Sequence, residues 1–267
     1  MISKASVSVI VPCFNGEECI ARCIESITNQ TVCINEVIFI DDCSSDDSLN
    51  VINSIFSSIS DYRTTIIKNK MNLGVSISRN LGLNVASSDY IAFLDVDDVW
   101  LPEKIEVQYT WMIRHPNVFL TGHEMNNSRS SIQIEMSKVR IRKIHAKKAL
   151  LSNPFSTPTI MMKNTKYYRF PNMRYAEDYA FWLEILFDSQ ECFKLSVVMA
   201  SMFKPEYGSS GLSSELWLME KGVQKIYLSL YKINKINLFE YIGLIGFSYV
   251  KYMKRVLISL VLVRSKL

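Results

Sequence analysis

The first hundred residues alternate apolar, β-branched runs with helical periodicities, and that alternation limits the chain to a narrow set of folds. "VSVIVP", Val7 to Pro12, reads as a strand that stops at a turn. A helix follows, with Asn15 as its cap, Glu18 three residues on, and Ile20, Ile24 and Ile27 as its buried stripe. "EVIFIDD", Glu36 to Asp42, is a second strand that ends in acid. Ser44 with Asp47 then reads as a capping box ahead of Leu49, Ile52 and Ile55. "TTIIK" is a third short strand, "NLGV" a turn, Ser76 to Ala86 a third helix, and the run from Tyr90 a fourth strand. Strands joined through helices by links this short run mostly parallel, in a sheet covered on both faces.

Ligands of such sheets bind beyond the carboxyl ends of the strands. Pro12 to Asn15, Asp41 to Asp42 and Asp95 to Asp98 all lie there, so three separated segments converge on one edge. Asp95, Asp97 and Asp98 crowd three carboxylates at the end of one apolar strand, a density that repels itself unless a cation shares the place. The chain has neither a Walker motif nor G-x-G-x-x-G, so neither standard phosphate-cradling loop is available. A divalent cation held by carboxylates is the remaining common way to bind a nucleoside diphosphate, because hard cations take oxygen ligands and bridge to phosphates.

With 267 residues, 48% hydrophobic and 21% charged, the chain is long enough for one large domain with an appendage. A formal net charge of +4 is too mild to argue for a nucleic-acid partner, although Lys and Arg crowd into Lys138 to Lys148 and into 251–267. The cysteines Cys13, Cys19, Cys23, Cys33, Cys43 and Cys192 show no C-x-x-C pairing and no disulfide framework, and read as buried thiols in a reducing compartment. The apolar run before Pro12 is too short for a signal peptide. No uncharged apolar segment approaches the ~18 residues that mark a membrane span. The expected location is the cytoplasm. His115, His123 and His145 lack metal-ligand spacing and are expected to be non-catalytic.

Four segments, "VSVIVPCFN", "EVIFIDDCSSDDS", "NLGVSISRNLGLNVASSDYIAFLDVDD" and "YAEDYAFWLEIL", resemble in order and spacing the nucleotide-sugar glycosyltransferases of family 2. The resemblance is dense from Ser6 to Gly122 and returns from Arg174 to Leu186. It implies an inverting, metal-dependent hexosyltransferase with the GT-A fold, an α/β architecture whose Rossmann-like, mostly parallel sheet is flanked by helices. The catalytic domain would span 1–215, with a nucleotide-binding half at 1–122 and an acceptor-side half at 123–215. The donor implied is a nucleotide-sugar with uracil as the base. The acceptor implied is a glycan, or a polyprenyl-diphosphate-linked glycan, in surface-polysaccharide (O-antigen-type) biosynthesis, and the cofactor is Mn2+ or Mg2+. The absence of the Q-x-x-R-W signature of processive synthases points to transfer of a single residue.

Carried over residue by residue, the resemblance gives Pro12, Phe14 and Asn15 to the nucleotide pocket, with the Phe14 ring against the base. Asp42 would accept a hydrogen bond from the base, while Asp41 orders the turn. Asp97 would ligate the metal, and Asp95 would face the ribose or the metal's shell. Asp98 either supports these two or favours the start of the next helix, where Pro102 suits the first turn. Arg79 would face the diphosphate, clamp an acidic strand end, or lie on a helix surface. Asp178, beside Glu177 at a helix start, matches the catalytic base. "PEYGSSGLSS", Pro205 to Ser214, reads as a lid over the acceptor side.

From Trp217 onward the chain reads as a helical extension, 216–267, whose apolar final run is broken by Glu240, Lys251, Lys254 and Arg255. It either packs on the catalytic domain or lies in the interface of an anionic membrane. Rival readings of the whole chain are a sugar-phosphate nucleotidyltransferase, a signalling receiver domain, and an inactive glycosyltransferase-like scaffold. The first needs a Gly-rich loop that "PCFNGEE" does not supply, and the second leaves the Glu177–Asp178 helix unexplained.

Overall fold

A computed structural model describes residues 4–57, 61–126, 139–202 and 215–264. The expected alternation is present as β1 (Lys4–Cys13), α1 (Glu17–Thr28), β2 (Cys33–Asp41), α2 (Ser48–Phe56), β3 (Arg63–Lys68), α3 (Val75–Val85) and β4 (Tyr90–Phe93). The chain continues through β5 (Asp98–Trp100), α4 (Lys104–Arg114), β6 (Val118–Asn126), β7 (Ile141–Lys143) and α5 (Ala146–Ala149). A 3-10 turn at Thr157–Thr159 leads to β8 (Met161–Lys163), α6 (Glu177–Phe187), β9 (Glu191–Met202), α7 (Leu216–Lys232) and α8 (Leu238–Arg264).

The strands form one sheet in the order β3-β2-β1-β4-β8-β6-β9-β5, with β7 paired to β9. The first four are parallel. β8 then enters antiparallel between β4 and β6, and β9 runs parallel to β6 but antiparallel to β5. Period-2 alternation explains the continuous apolar runs of β1, β2 and β4. Ile10, Ile38, Ile40, Ile91 and Phe93 join one core cluster, while Val9, Val11, Val37, Phe39 and Ala92 join the other. Helices α1, α2 and α4 cover the second face, and α3, α6, α7 and α8 the first. Each strand is therefore anchored from both sides, and its carboxyl end is a fixed point on which loops can be built.

Both expected capping boxes give way to tertiary bonds. Helix α1 begins after Gly16, not Asn15, and no side chain caps it. α2 begins after Asp47, also without a side-chain cap, because the Ser44 hydroxyl is occupied by the Asn15 amide at 3.0 Å. Asp98 does not start a helix either. It lies buried in β5, and Pro102 precedes α4 rather than entering its first turn.

The C-terminal helices share the main core. Ile226, Tyr227 and Leu230 of α7 and Leu244 of α8 pack in the same cluster as Tyr179 and Trp182 of α6. The Tyr227 and Tyr179 hydroxyls both donate to the carbonyl of Leu150, at 2.7 and 3.0 Å. Lys147 pairs with Glu240 at 2.6 Å. No helix among the described residues is long and apolar enough to cross a membrane.

Candidate active site

The loops that leave β1, β2 and β3 are stitched to one another. Asn15 and Cys43 adopt left-handed backbone conformations (φ 49° and 65°), which cost a side-chain-bearing residue energy that the surrounding bonds must supply. The Asn15 carboxamide accepts the Ser45 amide at 2.9 Å, and the Gly16 amide donates to Ser48 Oγ at 2.9 Å. Asn15 thus fastens the β1 loop to the β2 loop. Gly74, with φ 87°, turns the chain into α3 where a Cβ would be strained.

Asp42 is the knot of this assembly. Its Oδ1 accepts from Asn69 Nδ2 at 2.7 Å and from the Leu73 amide at 2.9 Å, and its Oδ2 accepts from the Gly74 amide at 2.8 Å. Ordering the turn therefore falls to Asp42 as well as Asp41, whose Oδ1 takes the Ser44 amide at 3.3 Å. Asp42 still borders open space. A cleft of about 360 Å³ is walled by Pro12, Phe14, Asp42, Arg79, Asp95 and Asp97, with Glu177 at its far side. It continues past Phe14 and Asp42 into a recess of about 330 Å³ reaching Asn172, Met173 and Arg174. That recess is held by α3: Asn80 exchanges two hydrogen bonds with the Phe170 backbone, each 2.8 Å, and Ser76 Oγ donates to the Met173 carbonyl at 2.8 Å. Phe14 is 50% exposed, a free ring face at the junction of the two spaces.

Arg79 is the buried cation on this wall. Its Nη2 donates to Asp95 Oδ1 at 2.7 Å and its Nη1 to Glu177 Oε1 at 3.1 Å, while the guanidinium lies 5.2 Å from the centre of the Phe170 ring. Burial opposes its charge, and Asp95 and Glu177 more than offset that, so it stays firmly protonated. Of the three placements that the sequence leaves open, the structure selects the clamp on acidic groups.

Glu177 and Asp178 follow Ala176, which is itself left-handed at φ 58°. Gly222 of α7 approaches this backbone so closely that a Cβ would lie 2.6 Å from the Tyr175 carbonyl oxygen. Consecutive helical residues point about 100° apart, and these two acids face different spaces. Glu177 borders the cleft, whereas Asp178 borders a second cavity of about 280 Å³ roofed by α7 and α8. Burial pushes the Glu177 carboxyl up and the neighbouring Asp178 charge adds to it, against the pull of Arg79. Asp178 is also raised by burial, despite Arg79, a hydrogen bond from the Tyr179 backbone amide and Asn153 Nδ2, which donates to it at 3.1 Å.

Glu177 as a clamp partner, Asn80 and Asn153 escaped the sequence reading. Glu177 and Asn80 did have a signal, each lying beside a singled-out residue, while nothing local marks Asn153. The expected lid, Pro205 to Ser214, lies outside the described residues. Among the described residues no cluster of three or more His, Cys, Asp or Glu could hold a metal by itself. A cation bridging to donor phosphates needs only one or two protein carboxylates. Asp97 and Asp95 on the cleft wall fit that need, Asp95 meeting Arg79 through Oδ1.

The family model described as glycosyl transferase family 2 matches residues 8–173. The chain belongs to glycosyltransferase family 2. An uncharacterized glycosyltransferase of Haemophilus influenzae is 30% identical over 93% of this chain and 98% of its own length. The UDP-Glc:alpha-D-GlcNAc-diphosphoundecaprenol beta-1,3-glucosyltransferase WfgD of Escherichia coli is 33% identical over 68% of this chain and 70% of its own. The fold matches that of S. aureus TarS 1-349 in complex with UDP-GlcNAc, with a TM-score of 0.70 at 18% identity over 93% of this chain and 72% of that one. The sheet and its covering helices are thus those of a GT-A family 2 glycosyltransferase, and the activity is transfer of a sugar from a nucleotide-sugar. Neither the nucleotidyltransferase nor the receiver reading finds support.

Removing one partner of a buried charged group leaves the others uncompensated, at about 3–5 kcal/mol. Arg79→Met should lower unfolding free energy by about that amount in a urea titration. Arg79→Lys should recover only part of it, since one ammonium does not reproduce a two-sided fork. A loss below ~1 kcal/mol would show that the three groups are effectively solvated.

Proposed function

We propose that this enzyme transfers one hexose, with inversion, from a UDP-sugar to a hydroxyl of a sugar carried on a lipid diphosphate. The observation that carries the proposal is the divergence of Glu177 and Asp178 into two adjoining cavities. Inversion requires attack from the face away from the departing nucleotide. A base facing a different space from the metal carboxylates meets that requirement. The donor nucleotide would occupy the cleft, its base in the recess beside Phe14 and Asp42 and its diphosphate toward Asp95 and Asp97. A divalent cation held there with Asp97 and Asp95 would neutralise the leaving diphosphate. Arg79 fixes Asp95 and Glu177 in position, and Glu177, paired to Arg79, is not available as the base. Asp178, oriented by Asn153, takes the proton from the acceptor hydroxyl in the second cavity. The names of WfgD and of WfaP, a like enzyme, support the lipid-diphosphate acceptor. We assign catalysis to 1–215 and an accessory role to 216–267.

The extension supports a place at the membrane surface. Phe239, Ile242, Gly246, Val250, Met253 and Leu257 succeed one another at three- and four-residue steps on the exposed side of α8, an apolar stripe with Lys254 beside it. A stripe of this kind, too interrupted to span, lies in the headgroup region of an anionic bilayer. The enzyme would then work on the inner face of the cytoplasmic membrane.

General base catalysis contributes about 10²–10⁴-fold. Asp178→Asn should bind donor normally and lose turnover by that factor. Wild-type kcat should fall as pH is lowered through a pKa above the ordinary carboxylate range, because the base must be deprotonated and burial raises it. Near-normal turnover of the Asn variant would remove Asp178 from the chemistry.

Asp97→Ala should abolish the manganese-dependent part of UDP binding in calorimetry while unfolding stays cooperative. Equal wild-type affinity with and without manganese would overturn the carboxylate–metal reading.

Flotation with liposomes containing anionic lipid should recover the wild-type chain. The double substitution Val250→Glu with Leu257→Glu should leave it in the soluble fraction. Identical flotation of the two proteins would exclude the α8 stripe as the contact.

A further inference from the structure

The second cavity contains cations that the transfer chemistry just described does not use. Lys251 and Arg255 stand one turn apart on the inward side of α8 and border the same space as Asp178. Arg255 spends Nη2 on the buried carboxylate of Glu220, at 3.2 Å, while its Nε is buried with no hydrogen-bond partner. Lys251 Nζ donates to the carbonyl of Leu151 at 2.8 Å, a neutral partner, and lies 5.6 Å from the centre of the Phe247 ring. The remaining wall is largely apolar, with Met219, Val223 and Tyr227. Glu220 and Asp178 border the same space, but Glu220 pairs with Arg255 while the Lys251 hydrogen bond goes to a neutral carbonyl, so Lys251 is the cation that an anionic ligand would satisfy.

We infer that Lys251 and Arg255 form the binding site for the diphosphate of the acceptor. The inference rests on the lipid-diphosphate acceptor proposed above and gives that group a location. Glu220 pairs with Arg255, leaving Lys251 as the cation with a neutral partner and Arg255 as a second positive group beside it on the cavity wall. A guanidinium edge and an ammonium are the two side chains best suited to phosphate oxygens, the first by its fork and the second as a point charge. At about 280 Å³ the cavity falls just below the ~300–1,000 Å³ of pockets for drug-sized ligands. It has room for a sugar ring and phosphate, but not for a long lipid. Asp178 and the cation pair border one cavity, so a sugar ring seated there would present its reacting hydroxyl to the first and its phosphate to the second. The lipid then leaves around α8, whose opposite side carries the apolar stripe, and an α-helix is only ~10–12 Å across. One helix would thus hold the anionic head of the acceptor inside and its lipid outside.

The test uses geranyl diphosphate as the probe and full-length Asp97→Ala protein in metal-free buffer, so that the donor cleft does not capture the probe. Calorimetry should show binding, and adding Lys251→Met should weaken it at least tenfold. Arg255→Met should do the same, but it strands Glu220 and can lower stability. Lys251→Met leaves the Glu220–Arg255 pair intact and decides the matter by itself. Unchanged affinity in Lys251→Met overturns the inference, as does equal binding of geraniol. Inorganic pyrophosphate binding as tightly as geranyl diphosphate would mean that the site reads a free diphosphate, which also overturns the acceptor assignment. Because neither donor nor turnover enters this experiment, its failure is distinct from failure of the transfer reaction proposed above.

Discussion

The active centre depends on one buried guanidinium. Arg79 joins Asp95, at the end of a central strand, to Glu177, at the head of a helix nearly a hundred residues later. Three ionised groups in a half-enclosed space are costly unless their hydrogen bonds are made. Here two of the four carboxylate oxygens are taken by opposite ends of one rigid fork. The clamp sets the distance between the cleft and the helix that carries Asp178. Asp178, the next residue, inherits its position from it.

Backbone strain marks the loops that lead into the cleft, besides the helix ends at Ser189 and Asn234. Asn15, Cys43 and Ala176 all take left-handed conformations in loops or helix starts beside the cleft. The Asn15 loop is held by bonds to Ser44, Ser45 and Ser48, and the Ala176 turn is packed closely against α7 at Gly222. Such strain persists only where the surroundings over-determine it. This is why the loops around the cleft present fixed walls, and why α7, though it follows them in sequence, shapes the turn ahead of Glu177.

Helix α8 faces two environments. Its inner side contributes Leu244 to the core and Lys251 and Arg255 to the cavity, while its outer side leaves an apolar stripe uncovered by any described residue. Packing on the catalytic domain and contact with a bilayer, which stood as alternatives in the sequence, are compatible because they use opposite faces of the same helix. Both faces thereby bear on the cavity that Asp178 borders, the inner one directly and the outer one through the position of the helix.

The sequence by itself determined the parallel half of the sheet, since each of β1 to β4 is a short apolar run whose local pattern needs no partner to be read. It also placed Pro12, Phe14, Asp42, Asp95 and Asp97 on one edge, because strand ends in a parallel sheet point the same way. It did not determine the antiparallel entry of β8, for β5, β7 and β8 are three residues each and carry no period. Nor did it assign the caps: Ser44 and Asn15 satisfy each other's loops instead of helix ends, a choice made by contacts thirty residues apart. Arg79 was legible as a clamp on an acidic strand end only beside two other placements, because its second partner, Glu177, is brought to it only when α6 docks on α3. The same holds for Lys251 and Arg255. As letters they are charges interrupting an apolar helix. Only the packing of α8 turns them inward, since which side of an amphipathic helix is buried depends on the surface that receives it.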